Sequence, residues 1–317
     1  MSPEPAGLRT TLTHAAPAPK VSVVVPTYNE AKNLPAVFAL LPDDLHEVIV
    51  VDGRSVDDTI EVARTLRPDV KIVLQNRRGK GNALACGFAA VTGDIVVMLD
   101  ADGSADPREI ADYVDALVGG ADFAKGTRFA LGGGSADITT TRAWGNRWLN
   151  RAVNTLFGTR YTDLCYGYNA FWAHCLPILE LDAADVGRDG KLWGDGFEIE
   201  TIINTRVAKA RLDIAEVASF EFERLHGESN LNTWRDGMRV LRALLVERLN
   251  RKGRRSLAPD ARATADRFAA SAPSDRRGPS VSTLTGAATR RLDAVATEPG
   301  RPVLRLAATE GEGGLAC

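Results

Sequence analysis

The amino-acid sequence predicts an α/β fold with a doubly wound, mostly parallel sheet. Two observations support this fold. Short apolar runs rich in β-branched residues recur along the first half, and a segment with helical spacing follows each of them. Strands that are buried on both faces show such continuous apolar runs. The alternation of strand and helix is typical of parallel sheets, because each helix returns the chain to the edge where the next strand begins.

Four strands are expected in the first half, at residues 21–25, 48–51, 71–74 and 95–99. Helices are expected at residues 33–41, 57–66, 80–91 and 107–117, and several of them open on Asp, Asn or Pro, as helices often do. The second half is less regular, with helices expected at 142–157 and 197–210 and a strand at 212–217.

The two ends of the chain differ in composition from the middle. Residues 1–19 are rich in Ala, Pro and Thr, and residues 251–317 are rich in Arg, Ala, Ser, Pro and Gly. Such segments have too little apolar surface to offset the entropy of ordering the chain. We therefore expect one folded domain at residues 20–250 between two disordered tails.

Composition disfavours several functional classes. Basic and acidic residues nearly balance, at 39 and 41, so the net charge gives no indication of a nucleic-acid partner. The four cysteines form no CxxC pair and the four histidines are scattered, which argues against a zinc site or a disulfide scaffold. With no apolar stretch of about 20 residues and no signal-peptide pattern, a cytoplasmic location is expected. Contact with the cytoplasmic face of a membrane stays open.

Carboxylates follow the ends of three predicted strands, where ligands bind in doubly wound sheets. A single Asp at such a position, for example Asp52, can equally be a helix cap. Asp100 and Asp102 leave their strand on the same side, and two like charges so close together need a cation or a shared proton. Hard oxygen ligands suit Mg2+ or Mn2+, so this pair is a candidate metal site.

Two common phosphate-binding motifs are absent. The first strand is followed by PTYNE rather than by GxGxxG, and Leu74 stands where a P-loop requires glycine. Dinucleotide-dependent oxidoreductases and P-loop NTPases are therefore disfavoured. Residues 75–82, QNRRGKGN, still form a basic turn before a helix, which suits an anion, although a solvated basic loop would have the same composition.

Four segments in order, VVVPTYNEAKNL, VVDGRSVDDT, RGKGNAL and VVMLDADGSADP, resemble the inverting family-2 glycosyltransferases, which have the Rossmann-like GT-A fold. The likeness is greatest to the dolichol-phosphate mannose synthase-like branch, and it continues through GTRF, DLCYGYN and FERLHGESN to about residue 240. The resemblance implies a metal-dependent enzyme that moves a sugar from a nucleoside-diphosphate sugar to an acceptor, which in that branch is a polyprenyl phosphate.

The resemblance also implies which residues bind the nucleotide sugar, and all but one of them lie at strand ends. These are Pro26, Tyr28, Glu30, Asp52, Lys80, Asp100, Ala101 and Asp102. Asp52 would contact the base, and Asp100 with Asp102 would form the DxD motif that holds Mg2+ or Mn2+ against the diphosphate. Ser104 stands where the family often has Gln, which puts a third metal contact in doubt.

Three arginines are assigned in the same way. Arg128 and Arg142 match positions that hold the acceptor phosphate, and Arg224 matches one near the donor phosphates. A phosphate acceptor is already an anionic nucleophile, whereas a hydroxyl acceptor would need a general base. The candidates for that base are Asp163, Asp195 and Glu198, of which Asp163 ranks first because it matches a family position.

Other interpretations fit parts of the pattern. DADGS resembles the DxDG(S/T) motif of aspartate-nucleophile phosphohydrolases, but there the motif normally ends the first strand and here it follows the fourth. A sugar nucleotidyltransferase would have a glycine-rich basic signature after its first strand, which is absent. A non-catalytic sugar-nucleotide binder is disfavoured by the intact DxD.

Residues 233–255 predict an amphipathic helix that could lie in a membrane interface or pack on the domain. Its apolar residues are Met238, Leu241, Leu244, Leu245 and Leu249. Its basic residues are Arg235, Arg239, Arg242, Arg248, Arg251 and Lys252.

Overall fold

A seven-stranded sheet lies at the centre of the molecule. The structure is a computed structural model that describes residues 18–136, 138–184, 190, 192–227, 233–250, 257 and 263–271. The strands are β1 Val21–Thr27, β2 Glu47–Asp52, β3 Lys71–Leu74, β4 Ile95–Met98, β5 Phe123–Thr127, β6 Gly134–Ser135, β7 Asn169–Trp172, β8 Ile214–Ala218 and β9 Phe220–Glu221. The main sheet has the order β3-β2-β1-β4-β7-β5-β8, and β6 pairs with β9 in a separate two-stranded sheet.

Helices connect these strands. They are α1 Leu34–Ala39, α2 Thr59–Leu66, α3 Lys80–Ala89, α4 Ile110–Val118, α5 Thr140–Phe157, α6 Leu176–Leu179, α7 Ile199–Lys209, α8 Thr233–Leu249 and α9 Ala263–Ser271. No helix in the described part of the chain is both long and apolar enough to cross a bilayer.

The mostly parallel sheet predicted from the sequence is confirmed. β1 to β4 are parallel to one another, and only β7, between β4 and β5, runs antiparallel to its neighbours. β5 and β7 were not predicted, because FAKGT contains Lys and Gly and NAFW contains no β-branched residue. Thr27 lies opposite Asp52 and Val24 opposite Met98, so β1, β2 and β4 end at the same edge of the sheet.

Helix α3 lies unusually close to the sheet. A Cβ atom on its Gly87 would come within 2.5 Å of Val24 Cγ1 and 2.8 Å of Val51 Cγ2. Glycine at this position therefore lets the helix backbone approach β1 and β2, at the cost of helix propensity. α3 begins at Lys80, within the basic segment 75–82. Its N-terminus therefore lies at the edge where these strands end.

Helix α8 packs on the domain by one face and exposes another. Leu244 and Glu247 are fully buried, and Glu247 pairs at 3.0 Å with the buried guanidinium of Arg206 on α7. The packing alternative therefore holds for Leu244. The other apolar residues of the predicted face, Met238, Leu241, Leu245 and Leu249, are exposed by 39 to 84%. The side chain of Arg235, and residues Arg251 and Lys252, lie outside the described part of the chain.

The prediction of a wholly disordered C-terminal tail is wrong for one segment. Helix α9 forms within it, and the Phe268 ring stacks on Trp172 with 5.7 Å between ring centroids. Trp172 belongs to β7 and is fully buried, so α9 covers part of the main core. Residues 1–17 and the remainder of the C-terminal stretch lie outside the described residues, and their predicted disorder stays a prediction.

A chain that ends at residue 255 is expected to be less stable than one that ends at residue 278. The shorter chain loses the apolar area and the ring stack of Phe268, which together correspond to about 2 kcal/mol. Urea denaturation of both chains measures the difference. Phe268→Ala in the longer chain is the matched variant and should show most of the same loss, and equal stability of all three proteins would contradict the packing of α9.

Candidate active site

A cavity of about 860 Å3 opens where β1, β2 and β4 end. Ten of the twelve residues assigned to the site from the sequence line it: Pro26, Tyr28, Glu30, Lys80, Asp100, Ala101, Asp102, Arg128, Arg142 and Arg224. The other two, Asp52 and Asp163, are buried behind its wall at 1% and 0% exposure. The structure thus brings ten of the assigned residues together in one cavity.

Each member of the carboxylate pair, Asp100 and Asp102, contacts a cationic side chain. Lys80 Nζ lies 2.7 Å from an oxygen of Asp100 and 2.7 Å from Glu200 Oε1. Arg224 Nη2 lies 3.0 Å from Asp102 Oδ2, and its Nη1 lies 3.7 Å from Glu30 Oε1. Four carboxylates therefore face two cations, which leaves an excess of negative charge at this end of the cavity.

The pKa values of Glu30 and Lys80 reflect this excess of negative charge. Burial raises the pKa of Glu30 above its usual range, and the Asp102 and Asp100 charges raise it further, against the opposing effects of Asn33 and Arg224. Burial alone would lower the pKa of Lys80, but the Asp100 and Glu200 charges raise it well above its ordinary value. Lys80 is therefore a charged ammonium.

The carboxylate pair suits a divalent cation. Its donors are hard oxygens, and the local excess of negative charge is of the size that one Mg2+ or Mn2+ would neutralise. Ser104 donates to Asp102 Oδ1 from its hydroxyl at 2.7 Å and from its backbone N–H at 3.0 Å, which fixes that carboxylate. In the described residues, no group of three or more His, Cys, Asp or Glu is placed to hold a metal, so substrate phosphates and water would complete the shell.

Tyr28 lines the cavity, whereas Asp52 is buried behind its wall. Asp52 Oδ2 accepts a hydrogen bond from the Ser55 N–H at 3.0 Å, whereas Oδ1 has no hydrogen-bond partner in the described structure. A buried oxygen without a hydrogen-bond partner is energetically costly. The Tyr28 ring is 61% exposed, and a Cβ on Gly53 would lie 3.2 Å from it, so glycine leaves room for the ring.

Hydrogen bonds and an ion pair connect the basic segment 75–82 to residues 194–200. The Arg77 guanidinium forms two hydrogen bonds of 2.9 Å with the Asp195 carboxylate, and both side chains are buried. Gly81 N–H donates to the Asp195 carbonyl at 2.9 Å, and a side chain on Gly81 would collide with the Gly194 carbonyl. Arg77 is therefore structural, and Lys80 is the cation that this segment brings to the carboxylate pair.

Another part of the cavity wall is formed around Arg128. Its guanidinium contacts Asp163 at 2.6 and 2.9 Å and Glu221 Oε2 at 2.8 Å, and it lies 5.0 Å from the centroid of the Tyr166 ring. Arg142 lies in the first turn of α5, whose N-cap is Thr139. The buried ammonium of Lys125 donates to the Tyr166 carbonyl at 2.7 Å, which holds the loop beneath Arg128.

The three candidates for a general base differ sharply in their surroundings. Asp163 is fully buried and accepts hydrogen bonds from Arg128 and, at 3.1 Å, from Asn146, so it positions Arg128 instead of facing an acceptor. Asp195 is occupied by Arg77. Glu198 lines the cavity and accepts one bond, from Gly196 N–H at 3.3 Å. The geometry therefore disfavours the first-ranked Asp163 as a base and favours Glu198.

Glu200 and Glu221 line the cavity but were not assigned from the sequence. An acidic residue in the first turn of a helix, such as Glu200, is usually explained by the helix dipole. Glu221 lies in the two-residue strand β9, which has no recognisable pattern. Their partners, Lys80 and Arg128, are far away in sequence, so no local signal would have identified them.

Glu109 fixes the chain that leads into β9. Its carboxylate accepts hydrogen bonds from the Ser219 hydroxyl and, at 3.0 Å, from the Phe220 N–H. Ser219 Oγ also lies 2.9 Å from the Tyr166 hydroxyl. Burial raises the pKa of Glu109 to about 7, an effect that exceeds the lowering by these hydrogen bonds. Glu109 therefore links the wall of the cavity to a group that titrates near neutral pH.

Known proteins similar to this chain include several sugar transferases. The sequence family described as Glycosyl transferase family 2 matches residues 22–174. The undecaprenyl-phosphate mannosyltransferase of Micrococcus luteus is 32% identical over 225 residues, which cover 67% of this chain and 88% of that protein. Glycosyltransferase AglJ of Haloferax volcanii is 32% identical over 220 residues, which cover 68% of each chain.

Solved structures also resemble the fold. Glucosyl-3-phosphoglycerate synthase from Mycobacterium tuberculosis, in complex with Mn2+, UDP and glucosyl-3-phosphoglycerate, aligns with a TM-score of 0.55 and 24% identity, over 72% of this chain and 80% of that one. A likeness at this identity concerns the fold alone. It confirms the GT-A type of α/β fold that the sequence motifs imply.

Glu109→Gln is expected to change how stability depends on pH. The raised pKa means that the folded protein binds a proton at Glu109 more tightly than the unfolded chain does, so this group lowers the unfolding free energy progressively as pH rises from about 4.5 to about 7. Glutamine removes that titration. The melting temperature of the variant relative to wild type should therefore rise across this interval, and a difference that does not vary with pH would contradict the assignment.

Proposed function

This chain belongs to glycosyl transferase family 2, and we propose that within the family it transfers a sugar from a nucleoside-diphosphate sugar to a polyprenyl phosphate, with Mg2+ or Mn2+ and with inversion at the anomeric carbon. The observation that supports this proposal best is the composition of the cavity. The carboxylate pair and the acceptor arginines Arg128 and Arg142 line the same cavity. A cavity that combines a carboxylate pair for a divalent ion with further arginines suits a donor diphosphate and an anionic acceptor.

The residues divide the chemistry between them. Arg224 and Lys80 would stabilise the charge that develops on the leaving diphosphate as the bond from the sugar to its oxygen breaks. A bound divalent ion would supply further charge stabilisation at the same diphosphate. Arg128, fixed by Asp163 and Glu221, would hold the acceptor phosphate so that its oxygen attacks the anomeric carbon from the opposite face. The phosphate is already an anion, so this step needs no general base.

The direct test uses labelled nucleotide sugars and a polyprenyl phosphate. We expect label to pass into the organic phase as a sugar-phosphate ester, with release of one nucleoside diphosphate for each sugar transferred. NMR of the product should show the anomeric configuration opposite to that of the donor. Release of nucleoside diphosphate at the same rate without acceptor, or transfer only to water, would overturn the proposal.

The acceptor would reach the cavity at a membrane surface. α5 and α8 both line the cavity, through Leu149 and Val240 among others. The two helices pack on each other. α5 exposes Trp144 and Trp148 by 64 and 55%, in addition to the exposed apolar residues of α8. Exposed aromatic and aliphatic side chains beside arginines are typical of surfaces that bind the interface of anionic membranes.

Transfer to a soluble hydroxyl acceptor is the second candidate function. Glu198 supports it, because this carboxylate lines the cavity and has only one hydrogen bond in the described structure. A hydroxyl nucleophile would need such a base. Glu198→Gln separates the two functions, since it should abolish transfer to a hydroxyl and leave transfer to a polyprenyl phosphate largely intact.

Asp100→Asn and Asp102→Asn are each expected to lower kcat by about 100-fold or more, because each removes a metal ligand that acts on the leaving diphosphate. Thermal stability should change little, since each substitution also reduces repulsion among the four carboxylates. The matched control is Asp69→Asn, which changes an exposed carboxylate that pairs with Arg67. Full activity of both site variants, or activity that persists in excess chelator, would contradict the metal assignment.

Leu241→Glu combined with Leu245→Glu is expected to reduce binding to anionic liposomes by about tenfold or more, since two exposed apolar side chains are lost and two repelling charges are added. Leu66→Glu is the control, because Leu66 is also partly exposed, at 42%, but lies on α2 and not on α5 or α8. Co-sedimentation at low and high salt measures the effect. Equal binding by the double variant and the control would place the membrane contact elsewhere.

A further inference from the structure

The two cations beside the carboxylate pair contact the oxygen atoms that a divalent ion would need. Lys80 contacts both oxygens of Asp100, at 2.7 and 2.8 Å, and Arg224 contacts Asp102 at 3.0 Å. A divalent ion that binds these oxygens must compete with an ammonium and a guanidinium already in place. The same two cations are the ones that would stabilise a diphosphate.

The backbone beneath each cation is fixed. Gly81 N–H is bonded to the Asp195 carbonyl next to Lys80, and near Arg224 the Leu225 N–H donates to the Asp102 carbonyl at 3.2 Å. Only the long side chains can therefore move without disturbing the fold. Both end in the cavity, at 15 and 31% exposure.

Glu200 keeps Lys80 in the cavity when it leaves Asp100. Its carboxylate is 8% exposed and lies 2.7 Å from Lys80 Nζ, so the ammonium retains one charged partner. Gly167 leaves space at this point, because a Cβ there would lie 3.1 Å from Lys80 Nζ and 3.3 Å from Glu200 Oε1. The ammonium can thus shift towards a phosphate without becoming an unpaired buried charge.

We propose that Lys80 and Arg224 are internal counter-ions of the carboxylate pair, so that the divalent ion binds well only together with the nucleoside diphosphate, which receives both cations from the carboxylates. This inference rests on the proposed function and adds an order of binding to it. A divalent ion that binds without the nucleotide must displace Lys80 and Arg224 from the carboxylates. A nucleotide that binds without the ion must draw the same two cations away from the carboxylates. When both are present, each carboxylate and each phosphate has a partner of opposite charge. Affinities for metal and nucleotide are then coupled, and by linkage the coupling is the same in both directions.

The test compares Mn2+ binding to wild type and to a Lys80→Met/Glu200→Gln double variant. The double variant removes one positive and one negative charge, so the net charge of the site is unchanged and Glu200 is not left as an unpaired buried carboxylate. Lys71→Met, at an exposed lysine that pairs with Glu47, is the control. Free Mn2+ is measured by electron paramagnetic resonance, first with protein alone and then with GDP or UDP added. Melting temperatures show whether the variants are folded.

Wild type and the control should bind Mn2+ weakly alone and at least about tenfold more tightly with one of the nucleotides. The double variant should bind Mn2+ alone about tenfold more tightly than wild type, because Asp100 has lost its competing ammonium. The increase in Mn2+ affinity that the nucleotide causes should also be much smaller in the double variant than in wild type. A folded double variant whose affinity for Mn2+ alone equals that of wild type overturns the inference and leaves the proposed function standing. Failure of wild type to bind Mn2+ with either nucleotide overturns both.

Discussion

The crowding of negative charge at the end of β4 is the constraint on which the site depends. Asp100, Asp102, Glu30 and Glu200 converge there, and Lys80 and Arg224 are the cations that pair with them in the described part of the chain. Carboxylates that close are tolerated only with cations among them. The arrangement therefore favours a divalent ion. In the proposed function, metal binding, donor binding and leaving-group stabilisation all follow from this one local charge balance.

The fold brings these charges together through one short segment. Residues 194–200 hold the start of α3 through Asp195 and hold Lys80 through Glu200. The same segment provides Phe197 and Glu198 to the cavity wall and then continues as α7. The first half, which we propose binds the nucleotide, and the second half, which we propose binds the acceptor, are consequently positioned by the same residues. We therefore expect a change at Asp195 to disturb both halves of the cavity.

The sequence was informative where local patterns determine structure. The apolar runs predicted β1 to β4, and the residues that follow β1 and β4 predicted part of the cavity wall. β5 was missed because its buried Lys125 interrupts any apolar pattern, and the ammonium of this lysine donates to the carbonyl groups of Gly126 and Tyr166. Asp163 and Asp195 were named as candidate bases, and the structure pairs each of them with an arginine. Their partners lie 35 and 118 residues away, and only the fold shows that each is occupied by an arginine. The order in α9 depends in the same way on Trp172.

The central claim is that the carboxylate pair binds a divalent ion together with the donor diphosphate. Anomalous diffraction from crystals grown with Mn2+ and a nucleoside diphosphate tests it most directly. The account predicts one manganese peak within about 2.5 Å of oxygens of Asp100 or Asp102 and of the diphosphate, with Lys80 and Arg224 turned towards the phosphates. A bound nucleotide without manganese at this position, or with Lys80 still between Asp100 and Glu200, would contradict it.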